Sequence, residues 1–434
     1  MLVCSNGRSD SLTLEGRVVA PAQGIDECLR ITIQDGVIAY LEPAPASALV
    51  IAPAFVDPHV HLRTPGREDE ETIRSGTEAA AAGGYCAILA MPNTDPVVDS
   101  ASVLGALVER ARDEAVIPTG FMAAISKGQR GAELTEMAEL AAAGAAAFTD
   151  DGNPVVSAGL MRRALQYSVL ANRPLALHCE DTALSRGGHA HEGAVSAELG
   201  LGGYPSVAES VMVERDLALA AFEHRPLHVM HLSAQESVAA LRAAQAAGVQ
   251  ATGEVTPHHL CLTEEAVRSL DANVKMNPPL RSEEDRRTLV EALRDGAISA
   301  VATDHAPHAR HEKEVPFEEA PFGVIGLETA FSALHTRLVL PGVLTLETLL
   351  ERMSAGPARA LGLPEPRIEV GARANLVSLD LDAEWVVTED GFRSRSQNSW
   401  LLEQTLRGKV VKTVADGRVV WGQVLHSHTR QLER

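Results

Sequence analysis

The sequence is poor in cysteine and in positive charge. Five of its 434 residues are cysteine, and no two of them form a Cys-x-x-Cys pair. An odd number of scattered cysteines fits a reducing compartment better than a disulfide framework. The 38 basic residues are outnumbered by 58 acidic residues, which gives a net charge of -20. This balance argues against nucleic acids and anionic membranes as partners, because both are bound through clustered Lys and Arg.

Long apolar runs are missing as well. No run approaches the roughly 20 residues that a helix needs to cross a bilayer. The N-terminus also lacks the basic region followed by an apolar region that marks a signal peptide. We therefore expect a cytoplasmic protein with no membrane partner. Hydrophobic residues make up 45% of the chain, and the length allows a large barrel and a smaller domain.

The middle of the chain alternates strand-like apolar runs with helical stretches rich in Ala, Leu and Glu. The strand candidates are 51–57, 85–91, 117–123, 145–150, 175–179, 227–232, 250–255 and 298–303. Helical examples are 72–82, 102–114, 133–143 and 234–247. Eight strands with helices between them predict an α/β fold, the (β/α)8 barrel. A doubly wound open sheet is the alternative, but it usually carries a glycine-rich phosphate loop after its first strand, and this chain has none there.

Both ends of the chain have a β-strand pattern. Asp35-Gly36 and Asp416-Gly417 each separate two short apolar runs, which is a hairpin signal. We expect the two ends to meet in one small β-sandwich. The predicted domains are therefore 1–53 and 372–434, which together form the sandwich, and 54–371, which forms the barrel.

Five fragments of metal-ligand type follow apolar runs in the middle of the chain. They are His59-Val60-His61, Thr149-Asp150-Asp151, His178, His231 and Thr303-Asp304-His305. Imidazoles and carboxylates suit zinc and similar cations. Because a parallel barrel gathers the C-terminal ends of its strands around one cavity, these fragments could form one site. The sequence thus predicts a metal-dependent hydrolase.

The spacing of these residues supports this interpretation to different degrees. His59 and His61 are two residues apart in an extended segment and share one face. His178 and His231 each end an apolar run, where a histidine bonded to the backbone is the alternative. Asp304 could bind a metal and accept a proton from water. The alternative role for Asp304 is a helix N-cap, but the nearby Pro307 disfavours a helix that begins there.

The fourth strand candidate ends in Asp150-Asp151. No lysine occurs between Lys127 and Lys275, so a carboxylated lysine on this strand cannot bridge two metals. Either aspartate could do so, and the residues alone leave the choice open. The pair His258-His259 has a supporting role or is packing. The charged segment 308–320 is a solvated loop or a lid over the substrate.

Together these motifs resemble the type I dihydroorotases of the amidohydrolase superfamily. The most specific matches are 57–66, 90–94, 148–152, 275–281, 302–308 and 321–323. Hydantoinases and dihydropyrimidinases typically have the lysine bridge that this chain lacks. The resemblance implies one or two Zn²⁺ ions, with Asp151 as the bridge, and the metal ligands His59, His61, Asp151, His178, His231 and Asp304. It also implies substrate contacts from His61, Arg63, Asn93, Asn277, His308, Phe322 and Gly323.

The resemblance further implies an activity. This is the reversible cyclisation of N-carbamoyl-L-aspartate to L-dihydroorotate and water, in de novo pyrimidine (UMP) synthesis. Hydroxide activated by the metal would open the ring, with Asp304 as the catalytic proton shuttle. A homodimer and association with aspartate carbamoyltransferase are expected on the same basis. Two alternatives are an allantoinase-like cyclic amide hydrolase and a non-catalytic scaffold for the transferase. The scaffold is disfavoured because all six ligands are present.

Overall fold

The computed structural model describes residues 1–7 and 9–422. The described strands, β1 to β16 in chain order, are Leu12–Ala20, Ile25–Gln34, Val37–Pro43, Leu49–Pro53, Phe55–Val60, Tyr85–Ala90, Thr119–Phe121, Ala176–Leu177, Ala190–His191, Gly203–Tyr204, Leu227–Val229, Ala251–Val255, Ala300–Val301, Leu376–Val386, Thr405–Ala415 and Arg418–Trp421. The described α-helices, α1 to α13, are Ile73–Ala82, Ala101–Glu114, Met137–Ala143, Ala158–Ala171, Ala194–Leu199, Val207–Glu223, Gln235–Ala246, Pro257–Cys261, Glu283–Asp295, Arg310–Lys313, Ala330–Leu334, Leu346–Met353 and Ala355–Ala360. Within the described residues, no helix has both the length and the hydropathy that crossing a membrane requires.

The middle strands form a closed parallel barrel. One sheet has the order β5-β6-β7 and another the order β13-β12-β11-β8. Phe148 joins them on one side, because it pairs in parallel with Ala123 and with Leu175. On the other side, Val60 at the end of β5 pairs in parallel with His305, just beyond β13. The ring passes through all eight predicted strand positions, so the predicted barrel is confirmed.

The first barrel strand begins later than predicted. A single strand over 51–57 was wrong, because β4 belongs to the terminal sheet and β5 to the barrel. Between them, the Ala54 N–H donates to the Asn375 carbonyl, whereas the Phe55 N–H donates to the Gly84 carbonyl. The chain therefore changes hydrogen-bonding partners at Ala54. Periodicity could not reveal this change, since both strands are buried and read as one apolar run.

The two ends of the chain meet in one seven-stranded sheet, with the order β16-β15-β14-β4-β1-β2-β3. Both predicted hairpin turns are present, and each of their four residues has a positive φ, which is the geometry of a type I′ turn. A Cβ on Gly417 would lie 2.5 Å from the Gly36 Cα, so the two turns touch. The sheet thus curls until its edge hairpins meet, where a sandwich of two sheets was expected. The last part of the predicted domain 372–434, residues 423–434, lies outside the described residues, and the domain boundaries stay predictions.

The predicted helices are present as α1, α2, α3 and α7, but α3 is shorter than expected. It begins at Met137, although the prediction began at residue 133. Leu134 instead pairs with Ser126 as an isolated bridge, and the Thr135 hydroxyl donates to the Ala124 carbonyl at 2.8 Å. These contacts hold the segment before the helix beneath the end of the third strand. The helices surround the barrel, and its C-terminal strand ends are left to form a cavity.

Candidate active site

A cavity of about 200 Å³ lies at the C-terminal ends of the barrel strands. It is lined by His61, Arg63, Asn93, Asp151, Gly152, His178, His231, Asn277, Asp304, Ala306, His308, Phe322 and Gly323. Every residue predicted for metal or substrate binding is in this lining except His59, which is fully buried and is 3.4 Å from Asp304. The structure thus brings the whole predicted set together. The role of each residue stays a prediction.

Asp151 lies between two pairs of histidines, which are His59 with His61 and His178 with His231. Its Oδ1 is 3.7 Å from His59 Nε2, 3.6 Å from His178 Nδ1 and 3.7 Å from His231 Nε2. Its Oδ2 is 3.5 Å from His61 Nε2. These distances are long for hydrogen bonds. Two ligand atoms that each lie about 2.1 Å from a tetrahedral ion are about 3.4 Å apart, so the spacing fits ligands around cations.

A further observation shows that the pair His59 and His61 fits a divalent metal. His59 Nε2 is buried and has no hydrogen-bond partner among the described residues. An unpaired buried nitrogen costs about 1–3 kcal/mol, and coordination to a cation would satisfy it. Asp304 Oδ1 lies 3.4 Å from this nitrogen and 3.1 Å from His61 Nε2. The imidazole and carboxylate donors are those that zinc and similar ions take.

The neighbouring aspartates Asp150 and Asp151 face different ways. Asp150 Oδ1 accepts from the backbone N–H groups of Ile125 at 2.8 Å and Ser126 at 3.1 Å, and its Oδ2 accepts from the Ser126 hydroxyl. Burial raises the pKa of Asp150 to about 6. Asp150 therefore fixes the loop after the third strand, while Asp151 faces the histidines. Of the two aspartates, Asp151 is therefore the one that faces the predicted metal ligands.

Two buried glutamates that sequence reasoning missed hold the histidines from behind. Glu254 on β12 contacts His59 Nδ1 and His228 Nε2, both at 2.9 Å. Glu180 Oε2 is 2.9 Å from His178 Nε2 and accepts from Asn277 Nδ2 at 3.0 Å. Such partners fix the ring orientation and tautomer of a ligating histidine. The available signals were a glutamate within an apolar strand and a glutamate two residues after a histidine.

Electrostatics keep the carboxylates of the site ionised. Burial alone would raise the pKa of Asp304, but the imidazoles of His59 and His61 outweigh it and hold that pKa well below its usual range. The pKa of Asp151 is lowered by neighbouring histidines in the same way, against the effect of burial. Burial would also raise the pKa of Glu254, yet His228 and His59 bring it to about 2. Asp304 is therefore ionised, which a carboxylate must be before it can accept a proton.

The backbone around Asp304 is strained and braced. Asp304 has φ 47° and His231 has φ 29°, and residues other than glycine seldom adopt positive φ without a surrounding structure that enforces it. Thr303 donates its hydroxyl to Asp57 Oδ2 at 2.6 Å, and the His59 N–H donates to Asp57 Oδ1 at 3.0 Å. Asp57, which sequence analysis had not singled out for a role, thus ties the first strand to the last directly beneath both predicted ligands.

The wall that carries the predicted substrate contacts Arg63, His308, Phe322 and Gly323, called the substrate side, is built on loops. Arg63 Nε donates to the Pro307 carbonyl at 3.0 Å and forms an ion pair with Glu70 at 3.0 Å. His308 Nε2 donates to the Phe322 carbonyl at 2.8 Å. Glu70 is fully buried, and nothing in its charged sequence neighbourhood marked it. These contacts fix the Arg63 guanidinium at the wall of the cavity.

Two further residues connect the substrate side to the histidines. Asn93 Nδ2 donates to Asp151 Oδ2 at 3.1 Å, and its Oδ1 lies 3.0 Å from His61 Nδ1. Gly323 has φ 122°, and a Cβ there would lie 2.6 Å from the Ala306 Cβ. Only glycine fits this position, so the backbone can pass close to the cavity.

The pair His258-His259 does not line the cavity. His259 Nε2 donates to the Pro278 carbonyl at 2.9 Å, and its Nδ1 lies 2.8 Å from the Thr256 hydroxyl. This histidine therefore holds the chain next to Asn277. Of the two predicted alternatives, the contacts favour a supporting role for His259.

The sequence of this chain is similar to those of known dihydroorotases. The sequence profile of the family described as Dihydro-orotase-like matches residues 48–237. The chain is 44% identical to the dihydroorotase of Syntrophus aciditrophicus (strain SB), over 94% of this chain and 98% of that one. It is 45% identical to the dihydroorotase of Anaeromyxobacter sp. (strain K), over 95% and 98% of the two chains.

The fold is shared with solved structures of hydantoinases and dihydropyrimidinases. The L-hydantoinase (dihydropyrimidinase) from Arthrobacter aurescens superposes with a TM-score of 0.84 at 26% identity, over 95% of this chain and 96% of that one. The dihydropyrimidinase from Brevibacillus agri NCHU1002 superposes with a TM-score of 0.81 over 95% of each chain. Because the two sequences are only 21% identical, this match shows the fold alone. Two clusters, His59-His61-Asp151 and Asp151-His178-His231, bring together donors that could hold a metal ion, which supports a metal cofactor. This chain belongs to the dihydroorotase family, because it is 43–45% identical to dihydroorotases over 94–95% of its length.

Proposed function

We propose that this protein catalyses the reversible interconversion of N-carbamoyl-L-aspartate and L-dihydroorotate, with release or uptake of water, in de novo pyrimidine synthesis. The observation that carries the proposal is the composition of one cavity. Six metal-type donors and an arginine able to bind a carboxylate meet there, as the reaction of a carboxylated cyclic amide requires.

The substrate side of the cavity supplies orientation. Arg63 presents a planar fork suited to the carboxylate that lies outside the reacting bond. Asn93 and Asn277 can both donate and accept hydrogen bonds, which suits a ring amide or ureido group. His308 and the backbone at Phe322 and Gly323 complete this wall. Holding the reacting groups in line lowers the entropic part of the barrier.

The metal side supplies activation. We assign the metal ligands as His59, His61, Asp151, His178, His231 and Asp304. A divalent cation bound there would lower the pKa of water and polarise the ring carbonyl. In ring opening, the ionised Asp304 accepts a proton from the attacking water and delivers it to the leaving ring nitrogen. In synthesis the same carboxyl group moves the proton in reverse.

The metal is proposed to be Zn²⁺, with one or two ions per chain and Asp151 as the bridge. The absence of a lysine on the fourth strand and the position of Asp151 between both histidine pairs support this assignment. Manganese and cobalt bind similar donors. Metal analysis of the purified protein, followed by chelation and reconstitution with each metal, measures both identity and stoichiometry.

The activity is tested by following loss of the L-dihydroorotate ring by ultraviolet absorbance, before and after chelation. Allantoin and dihydrouracil serve as parallel substrates. We expect turnover of dihydroorotate alone, lost on chelation and restored by zinc. Turnover of allantoin instead would identify another cyclic amide hydrolase. No turnover by folded, zinc-loaded protein would indicate the scaffold alternative.

The stoichiometry of the reaction gives a pH prediction. Closing an amide from a carboxylate consumes a proton, so the equilibrium ratio of ring to open chain should fall about tenfold for each unit of rising pH, from mass action in that proton. Equilibrium mixtures approached from both directions and measured between pH 6 and 8 test this. A ratio that does not change with pH would exclude the proposed substrate pair.

We also propose a homodimer, a cytoplasmic location and association with aspartate carbamoyltransferase. The five cysteines, none in a disulfide, support the location. Light scattering of the purified chain tests the dimer. Co-purification tests the association, and dihydroorotate turnover by the complex then separates an active partner from an inactive one.

A further inference from the structure

Lys275 is a buried charged residue that the proposed mechanism does not use. The residue is 2% exposed. The Nζ donates to the main-chain carbonyls of Phe317 at 2.7 Å, Glu318 at 3.0 Å and Ala320 at 2.7 Å. A buried ammonium group is costly unless its three donors are satisfied. Here three carbonyls of one segment satisfy them all.

The same residue also joins that segment through its backbone. The Gly323 N–H donates to the Lys275 carbonyl at 2.9 Å. The ring of Phe322 lies over the Nζ, with its centroid at 4.7 Å, which is within the range of a cation–π contact. Lys275 therefore holds both ends of 317–323, and 317–320 is the end of the segment predicted as a lid.

The position of Lys275 in the chain links two walls of the cavity. Asn277 lies two residues further along and lines one wall, while Phe322 and Gly323 line another. Lys313 reinforces the link, because its Nζ donates to the carbonyls of Ala272 at 3.0 Å and Pro321 at 2.8 Å. Two lysines thus connect the chain before Asn277 to the chain before Phe322.

We propose that Lys275 is a positioning residue for the substrate, which sets the separation between Asn277 and the Phe322–Gly323 backbone by holding the carbonyls of 317–320. The inference rests on the proposed function for its substrate, but the contacts that carry it are independent of the metal. None of its hydrogen bonds reaches the histidines or Asp304. Loss of the ammonium group should therefore loosen one wall of the cavity and leave the metal ligands in place.

The test is Lys275→Met, which keeps the length of the side chain and removes its donors. We expect the KM for L-dihydroorotate to rise about tenfold, because three buried carbonyls lose their partner and the wall must be ordered on binding. The kcat should change less than about threefold, since the groups that move protons are untouched. Bound zinc should be unchanged, and hydrogen exchange should quicken in peptides covering 317–323.

Two control variants calibrate the effect. Lys313→Met removes only one carbonyl bond from the segment 317–323, and a KM increase of about threefold is expected. Lys127→Met removes an exposed lysine paired with Glu133 and should change neither KM nor exchange. If Lys275→Met does not fold, Lys313→Met carries the test with the same two measurements.

The proposal is overturned if KM and the exchange of 317–323 both stay at wild-type values. It is equally overturned if zinc content and kcat fall together, because the lysine would then support the whole fold. If the wild-type protein does not turn over dihydroorotate, the proposed function fails first. The exchange measurement then still decides whether Lys275 orders the segment.

Discussion

The two sides of the cavity are built in different ways. On the side of the predicted metal ligands, called the metal side, His59 lies near the end of strand β5 and Asp304 lies just beyond strand β13. Both are braced from behind by buried carboxylates such as Glu254 and Asp57. On the substrate side, Arg63 and the 317–323 segment lie on loops. These loops are held by basic side chains that donate to main-chain carbonyls. Arg63 donates to the Pro307 carbonyl, and Lys275 donates to the Ala320 carbonyl.

The residues proposed for the chemical step therefore lie on the barrel, and the residues proposed for substrate recognition lie on loops. Strand ends in a closed barrel have little freedom, so the ligand positions are set by the fold. Loops need specific partners to stay in one conformation, and they can vary without disturbing the barrel. We therefore expect changes on the metal side to act on kcat or metal affinity, and changes on the substrate side to act mainly on KM.

The largest effect is expected from Asp304→Asn. It removes the proton acceptor but keeps the shape of the side chain, so kcat should fall by about 10²–10⁴. The melting temperature should change by no more than about 2–4 °C, since the Asp57–Thr303 contacts beneath it remain. Turnover at saturating substrate and calorimetry on the same zinc-loaded preparation measure both. Near-normal turnover would remove Asp304 from the mechanism.

The adjacent pair Asp150 and Asp151 gives the next largest effect, with each acting as a control for the other. Asp151→Ala should abolish binding of at least one metal ion and lower the activity with it, because its carboxylate lies between both histidine pairs. Asp150→Ala should keep the metal but lower the free energy of unfolding by about 2–4 kcal/mol, since two backbone donors at Ile125 and Ser126 lose their acceptor. Metal analysis and thermal unfolding of both variants measure this. The opposite pattern would exchange the two roles.

The same contrast explains what could be predicted from sequence. The barrel was predictable, and so was the meeting of the six predicted ligands around one cavity, because each of them lies at or just after the end of an apolar run whose type and order are readable. Their roles as metal ligands stay predictions. The residues that brace the site were not predictable, since Glu254 and Asp57 act through partners far away in the chain. The split between β4 and β5 was missed for the same reason. It depends on which strand each backbone group pairs with, and an apolar run does not encode that. Glu70 pairs with the nearby Arg63, but its charged neighbourhood gave no sign that it is buried.

Arg63→Lys tests the substrate side. The charge that balances the buried Glu70 is kept, but the planar fork is lost. We expect kcat/KM for L-dihydroorotate to fall about 30- to 100-fold, mostly through KM, because a bidentate carboxylate contact becomes a single one. Steady-state kinetics with zinc content as the control measures the split. A fall in kcat with KM unchanged would contradict the division between the two sides.

The smallest effects are expected where a carboxylate acts only through a histidine. Glu254→Gln should weaken zinc binding about tenfold, because His59 loses a charged partner and holds its orientation less well. The kcat of fully loaded enzyme should stay within a few fold. Competition with a chelator of known affinity measures the first quantity, and turnover at saturating zinc measures the second.

Glu180→Gln is the matched variant, and it refines the comparison. Glu180 holds His178 as Glu254 holds His59, so a similar loss of about tenfold in zinc affinity is expected. Glu180 also accepts from Asn277 on the substrate side, so KM should rise as well, which Glu254→Gln should not cause. If the two variants raise KM equally, the two sides of the cavity are coupled through the metal. If only Glu180→Gln does, the coupling runs through this one carboxylate, and the sides are otherwise independent.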